Sequence, residues 1–150
     1  MPTVAAESPQ QPDVLELLRL GDEYAVATYP EGSDYSLSIA ELDATNITFL
    51  VARHEGQAVG TVAFVDRGDG TAEMKRMFVR ATARRLGVAG ALIVALEDAA
   101  RAASITLVQL ETGPPEAVAL YEKYGYRHIP NFGRYIGDDT SVCMEKPLPA

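Results

Sequence analysis

Across residues 12–29 apolar positions recur near a 3.6-residue period. Val14, Leu17, Leu18 and the pair Tyr24 and Ala25 share one face, which predicts an amphipathic helix. Periodicity then lapses, and residues 30–46 read as loop with one helical turn at 38–42. From Thr48 the pattern becomes that of strands, at 48–53, 58–65 and 71–79. The turns at Glu55-Gly56 and at the DRGDG tip, 66–70, make these an antiparallel meander. Past Arg84 the helical period returns. Leu92, Leu96, Ala99 or Ala100, and Ala103 form an apolar stripe, with Glu97, Asp98 and Arg101 expected on another face. The apolar run 105–110 suits a buried strand. Pro114 and Pro115 open a second helix in this half, 116–124, which Gly125 ends as a C′ glycine. Strands at 126–129 and 141–146 complete the pattern, separated by a loop holding Pro130, Phe132, Gly133, Tyr135 and Gly137.

A meander followed by strand–helix–strand predicts an α/β (α+β) fold, a central mixed, mostly antiparallel sheet flanked by helices. No linker interrupts the 150 residues, so 1–150 is expected to be a single domain. A hydrophobic fraction of 47% with 23% charged residues is that of a soluble globular protein. No apolar stretch reaches the ~18 residues of a membrane span, and the first twelve residues lack the basic and apolar regions of a secretory leader. Cys143 is the sole cysteine, which excludes an intrachain disulfide and a cysteine-rich zinc site. A cytoplasmic protein without metal is therefore expected.

Net charge changes the picture in two ways. A value of −8 argues against nonspecific nucleic-acid binding, which needs surplus Lys and Arg. The charge is also uneven: residues 1–74 carry 13 acids and three bases, residues 75–150 eight acids and ten bases. Five of those bases, Lys75, Arg76, Arg80, Arg84 and Arg85, fall in an eleven-residue stretch without an acid. That stretch is suited to receive an anion, and the acidic half to attract a cation.

Arg84-Arg85-Leu86-Gly87-Val88-Ala89-Gly90 lies between a predicted strand and a predicted helix. Gly87 and Gly90 lack a Cβ, so backbone could approach a ligand there. Unpaired N–H groups at the helix start favour an anion, and the two arginines can bind phosphate oxygens. Neither a Walker loop nor a Rossmann fingerprint is present. By itself the pattern is better read as small residues packed on the sheet at a helix start.

Two further segments extend it, Glu73-Met74-Lys75-Arg76-Met77-Phe78-Val79 before the loop and Ala119-Leu120-Tyr121-Glu122-Lys123-Tyr124-Gly125-Tyr126 after it. Together the three resemble the GNAT superfamily of N-acetyltransferases, which use acetyl-CoA. In that family a (Q/R)xxGx(G/A) loop binds the pyrophosphate and an LYxxxGY segment places a tyrosine near the thioester sulfur. The resemblance covers residues 48–146 as an architecture. It departs at Ala81, where the family often has proline, and at Pro114, where a polar Asn or Gln commonly precedes the second motif.

The resemblance implies that Met77, Phe78 and Val79 offer a strand edge to pantetheine, with a backbone N–H near Met77 or Phe78 as oxyanion donor. It implies that Arg84, Arg85, Leu86, Gly87, Val88, Ala89 and Gly90 hold the pyrophosphate. Tyr121 becomes the candidate general acid; the bland reading is a tyrosine packed between helix and sheet. An alkyl ammonium, pKa about 10.4, must lose a proton before attack. Glu73 is the first candidate base, against a reading in which it pairs with Lys75 or Arg76; Glu111 is the second, and a water chain the third. Tyr29, Tyr35, Phe132 and Tyr135 are expected to line an acceptor pocket, with Glu31, Asp34, Asp138 and Asp139 suiting a cationic acceptor. His54 and His128 read as solvated strand ends, and Cys143 as a core residue.

The function implied is acetyl transfer from acetyl-CoA to a primary amine, on a small cation or a peptide, by direct attack. The rival from another class is a non-catalytic acyl-CoA-binding sensor, which would not need Tyr121 or a base. A purely structural domain would not bind coenzyme A. Family members are often dimers, so a homodimer is among the assemblies the resemblance implies.

Overall fold

The structure, a computed structural model, describes residues 2–28 and 37–149. Its centre is one seven-stranded sheet. In chain order the strands are β1 (Thr3–Ala6), β2 (Ile47–His54), β3 (Gln57–Asp66), β4 (Thr71–Val79), β5 (Leu107–Thr112), β6 (Arg127–Ile129) and β7 (Val142–Pro147), arranged β1-β2-β3-β4-β5-β7-β6. β4 and β5 run parallel, and every other neighbouring pair is antiparallel. The helices are α1 (Pro12–Thr28), α2 (Val88–Ala102) and α3 (Pro115–Lys123). None is long and apolar enough to cross a membrane.

Each sheet face has its own core. On one, Val14, Leu17 and Leu18 of α1 pack on Phe49, Val51 and Ala63. On the other, Leu92, Ile93 and Leu96 of α2 pack on Leu50, Val62 and Phe64. The strand alternation produces this division, since neighbouring residues point to opposite faces. β3 is covered on both sides, so it reads as an almost unbroken apolar run.

Two irregularities open the sheet along β4. β4 and β5 pair only through residues 71–73 and 107–109. Further along, β4 stays on β3 as far as the Gly60–Val79 pair, and β5 stays on β7 as far as Thr112–Val142, so a wedge separates them. β4 also carries a bulge: Thr61 faces Phe78 and Ala63 faces Lys75, which leaves Val62 opposite both Arg76 and Met77. Arg76 takes a left-handed φ of 59° at that point, and bulges bend a strand away from its neighbour.

The predicted strands and helices are all present, with ends displaced by a residue or two. The first departure is β1, which the polar, proline-containing start did not suggest. Its stability comes from pairing along β2 and from Arg53, whose guanidinium bonds Glu7 at 2.9 Å and Asp13 at 2.8 Å. The second is Glu97, expected on a face apart from the apolar stripe. It is buried, accepting hydrogen bonds from Tyr126 Oη at 3.1 Å and Lys146 Nζ at 2.9 Å. Helix periodicity could not anticipate partners 29 and 49 residues away. The expected helical turn at 38–42 is a 3-10 turn at Glu41–Asp43. Ser38 Oγ accepts from the Glu41 N–H and Glu41 Oε1 from the Ser38 N–H, a reciprocal capping box.

Candidate active site

The wedge between β4 and β5 opens into a continuous cleft of about 1340 Å³. At one end is the start of α2. Gly87, its N-cap, has φ 76° and no atom within 4 Å of where a Cβ would stand. No side chain caps the helix; the Ala91 N–H bonds Gly87 O, which leaves the N–H groups of Val88, Ala89 and Gly90 without intrahelical acceptors. Arg84 and Arg85 stand beside them, solvent-exposed and without an ion pair among the described residues. An uncapped helix start, an open glycine and two unengaged guanidiniums form a chemically coherent diphosphate cradle. Gly90 has a different use: a Cβ there would stand 2.0 Å from Tyr124 Oη, so α3 packs onto its bare Cα.

In the middle of the cleft lies the free edge of β4. The Arg80 N–H bonds Val59 O on β3, so alternation along the strand turns the N–H groups of Met77 and Val79 toward the open side. Tyr121 borders the same space from α3; it is 5% exposed and stacks edge-on to Tyr126 at 5.9 Å.

The other end holds buried charge. Lys75 Nζ lies 3.1 Å from Glu73 Oε2 and donates to Tyr135 Oη at 2.5 Å, and Tyr135 in turn donates to Glu73 Oε2 at 2.6 Å. Arg67 reaches Glu73 from the opposite side at 3.3 Å. Burial lowers the Lys75 ammonium and raises the Tyr135 phenol, both against their charged forms. Glu111 borders the cleft, and burial raises its carboxyl, opposed by the Ser141 hydroxyl and the Lys75 charge. Arg76 and Asp22 complete this end.

Measured against expectation, Tyr121, Met77, Phe78, Val79, Arg84, Arg85, Gly87, Val88, Ala89, Gly90 and Tyr135 border one cleft. Glu73 does not border it; its carboxylate is taken up by Arg67, Lys75 and Tyr135. Leu86 does not border it either, and Phe132 backs Tyr135, its ring edge-on at 5.3 Å with Arg67 over its other side. Tyr29, Tyr35, Glu31 and Asp34 lie outside the described residues. Asp138 accepts from Thr140 in its own turn, and neither it nor Asp139 borders the cleft. Arg76 stood in the basic stretch, but its pairing with Asp22 went unsuggested; the contact spans 54 residues and leaves no local pattern. Cys143 is buried and its thiol raised by that burial, and both histidines sit at the surface beside Glu55 and Glu122.

Comparison with known proteins agrees with this arrangement. Residues 45–128 match the acetyltransferase (GNAT) domain family. An IAA acetyltransferase of Azospirillum brasilense is 42% identical over 149 residues, 97% of each chain. A solved structure from Klebsiella pneumoniae assigned as an acyl-CoA N-acyltransferase is 31% identical, with TM-score 0.82 over 99% of this chain and 98% of that one. The PaiA N-acetyltransferase of Thermoplasma acidophilum, solved with coenzyme A, shares the fold at TM-score 0.78 and 16% identity, over 98% and 99% of the two chains. A family match over more than half the chain, a full-length relative and a splayed β4–β5 pair beside an uncapped helix all lead to one assignment: this chain is a member of the GNAT family of N-acetyltransferases.

Proposed function

We propose that the chain transfers an acetyl group from acetyl-CoA to a primary amine by direct attack within this cleft. The observation that carries the reading is the juxtaposition, in one space, of the α2 cradle, the free β4 edge, Tyr121 and the half-buried Glu111. When bound, acetyl-CoA supplies an acyl carbon activated by its thioester. Arg84, Arg85 and the N–H groups of Val88 to Gly90 hold the diphosphate, and the β4 edge aligns the pantetheine arm. The Met77 N–H, facing the open side, is the donor that stabilises negative charge on the acyl oxygen.

Proton movements belong to Glu111 and Tyr121. A base must have a lone pair free and must border the space in which the amine arrives. Glu73 carries Arg67, Lys75 and Tyr135 on its carboxylate and does not border the cleft, whereas Glu111 borders it and is raised by burial. Glu111 therefore takes the proton that the ammonium must lose before its nitrogen attacks, and the second nitrogen proton passes to solvent as the tetrahedral intermediate collapses. Tyr121 returns one to sulfur as the C–S bond breaks. A non-catalytic sensor would have no use for a half-buried carboxylate bordering the cleft.

The test is a thiol-release assay over a panel of amines, paired with melting in coenzyme A. At about 100 times its Kd the ligand is expected to stabilise the fold by ~2.7 kcal/mol. Stabilisation with thiol release supports transfer. Stabilisation without release from any amine supports the sensor, and no stabilisation refutes both.

A further inference from the structure

Three tyrosines follow one another around the end of α3, and each meets a different environment. Tyr121 borders the cleft beside the free β4 edge, and Tyr126 is buried with its hydroxyl donating to Glu97 Oε2. Tyr124, the C-cap of α3, lies three residues past Tyr121 and so on the same side of the helix. It also borders the cleft and is half-buried. Its hydroxyl closes no hydrogen bond among the described residues and is not sealed from solvent.

That hydroxyl stands at the start of α2. A Cβ on Gly90 would lie 2.0 Å from Tyr124 Oη and 2.9 Å from its Cζ, so the phenol end fills the place of a side chain at position 90. Gly87 is the N-cap and Gly90 the third helical residue. Side chains at these two positions ordinarily meet around the N–H groups of the first turn. Helical Cα–Cβ bonds tilt toward the N-terminus, so the space at position 90 opens toward the cradle. Glycine at 90 therefore lets α3 place a hydroxyl where α2 has no side chain of its own.

A phenylalanine could pack on a bare Cα with the same ring. The tyrosine oxygen adds a donor that the described residues leave unspent, beside uncapped N–H groups and two exposed arginines that favour an anion. An O–H in that position can donate to a phosphate oxygen, a charge-assisted bond stronger than one between neutral groups.

We propose that Tyr124 is a further coenzyme A ligand, its hydroxyl donating to the diphosphate held at the start of α2. This rests on the acetyl-CoA reading of the cleft and adds a side-chain contact from α3 to the main-chain cradle of α2.

Calorimetric titration with coenzyme A and with dephospho-coenzyme A, which keeps the diphosphate and lacks the 3′-phosphate, reads the contact without turnover. Tyr124→Phe keeps the ring on Gly90 and removes only the hydroxyl. Its ligand-free melting temperature is expected to match that of wild type, and its Kd to rise about tenfold for both ligands. In thiol release the KM for acetyl-CoA should carry that change with kcat unaltered, the reverse of Tyr121→Phe. Equal Kd in wild type and Tyr124→Phe overturns the proposal and leaves the transferase reading standing. A rise confined to coenzyme A overturns it too, since the contact would then be to the 3′-phosphate. So does a rise accompanied by a lower ligand-free melting temperature, which would make the hydroxyl a packing group, or a fall in kcat at saturating acetyl-CoA. Failure of wild type to bind either ligand overturns this proposal and the transferase reading together.

Discussion

The two ends of the cleft are built from different materials. The α2 end uses main chain: uncapped N–H groups, a left-handed Gly87 and two exposed arginines, all contributed by seven consecutive residues. The α1 end uses paired side chains: the part-buried Lys75 and Glu73 with Tyr135 across 60 and 62 residues, and the buried Arg76 with the half-exposed Asp22 across 54. A backbone cradle tolerates change in its side chains and binds the part of the ligand common to all acyl-CoA reactions. A buried ionic network tolerates little, because removing one partner strands another in low dielectric. The division suits a family in which one cosubstrate serves many acceptors.

The largest effect is expected between the ends, at the reacting atoms. Glu111→Gln should lower kcat/KM by about 10²–10⁴. Because burial raises this carboxyl, activity should rise with pH along a limb above the ordinary carboxylate range, and that limb should vanish in the variant. An unchanged pH profile would return the base to a water chain. Tyr121→Phe should reduce kcat with little change in binding of acetyl-CoA; equal kcat with a good acceptor would remove the phenol from the chemistry.

Glu73→Gln separates the network from the catalysis. It leaves Lys75 and Arg67 short of a counter-charge, so a loss of about 2 kcal/mol is expected, a fall in Tm of roughly 4–8 °C for a domain this size. The acidic limb of the pH profile should remain. Its disappearance would reinstate Glu73 as the base.

At the cradle, Arg84→Ala should raise KM for acetyl-CoA about tenfold, equivalent to ~1.4 kcal/mol, with kcat nearly unaffected. Screening by salt should shrink the difference, since this guanidinium is exposed. A comparable loss in kcat would mean that the arginine also sets the reacting geometry.

The smallest effect lies far from both ends. Glu7 is held below its ordinary value chiefly by its hydrogen bonds to Arg53. A depressed carboxyl stabilises the fold above its unfolded value and loses that contribution as pH falls through the folded one. Glu7→Gln should therefore cost about 1 kcal/mol near neutrality in this partly solvated pair, with the gap to wild type closing under acid. Urea melts at pH 7 and pH 3 would measure both, and a gap independent of pH would contradict the linkage.

Elements legible in the chain were those whose causes are local. The 3.6 and 2 periods placed α1, α2 and the β2–β4 meander, and Gly87 with Arg84 and Arg85 marked the cradle, since a helix start and its preceding turn are made by neighbours in sequence. Tertiary structure alone decided that Thr3–Ala6 joins the sheet, that Glu97 is buried under Tyr126 and Lys146, and that Glu73 pairs with Arg67, Lys75 and Tyr135 while Glu111 borders the cleft. It alone turned Arg76 into the cleft through the β4 bulge. The physical reason is range. Backbone conformation responds to a few adjacent residues, whereas the partner of a charged side chain is chosen by whatever the fold brings within about 4 Å, and that choice leaves no periodic trace in the chain.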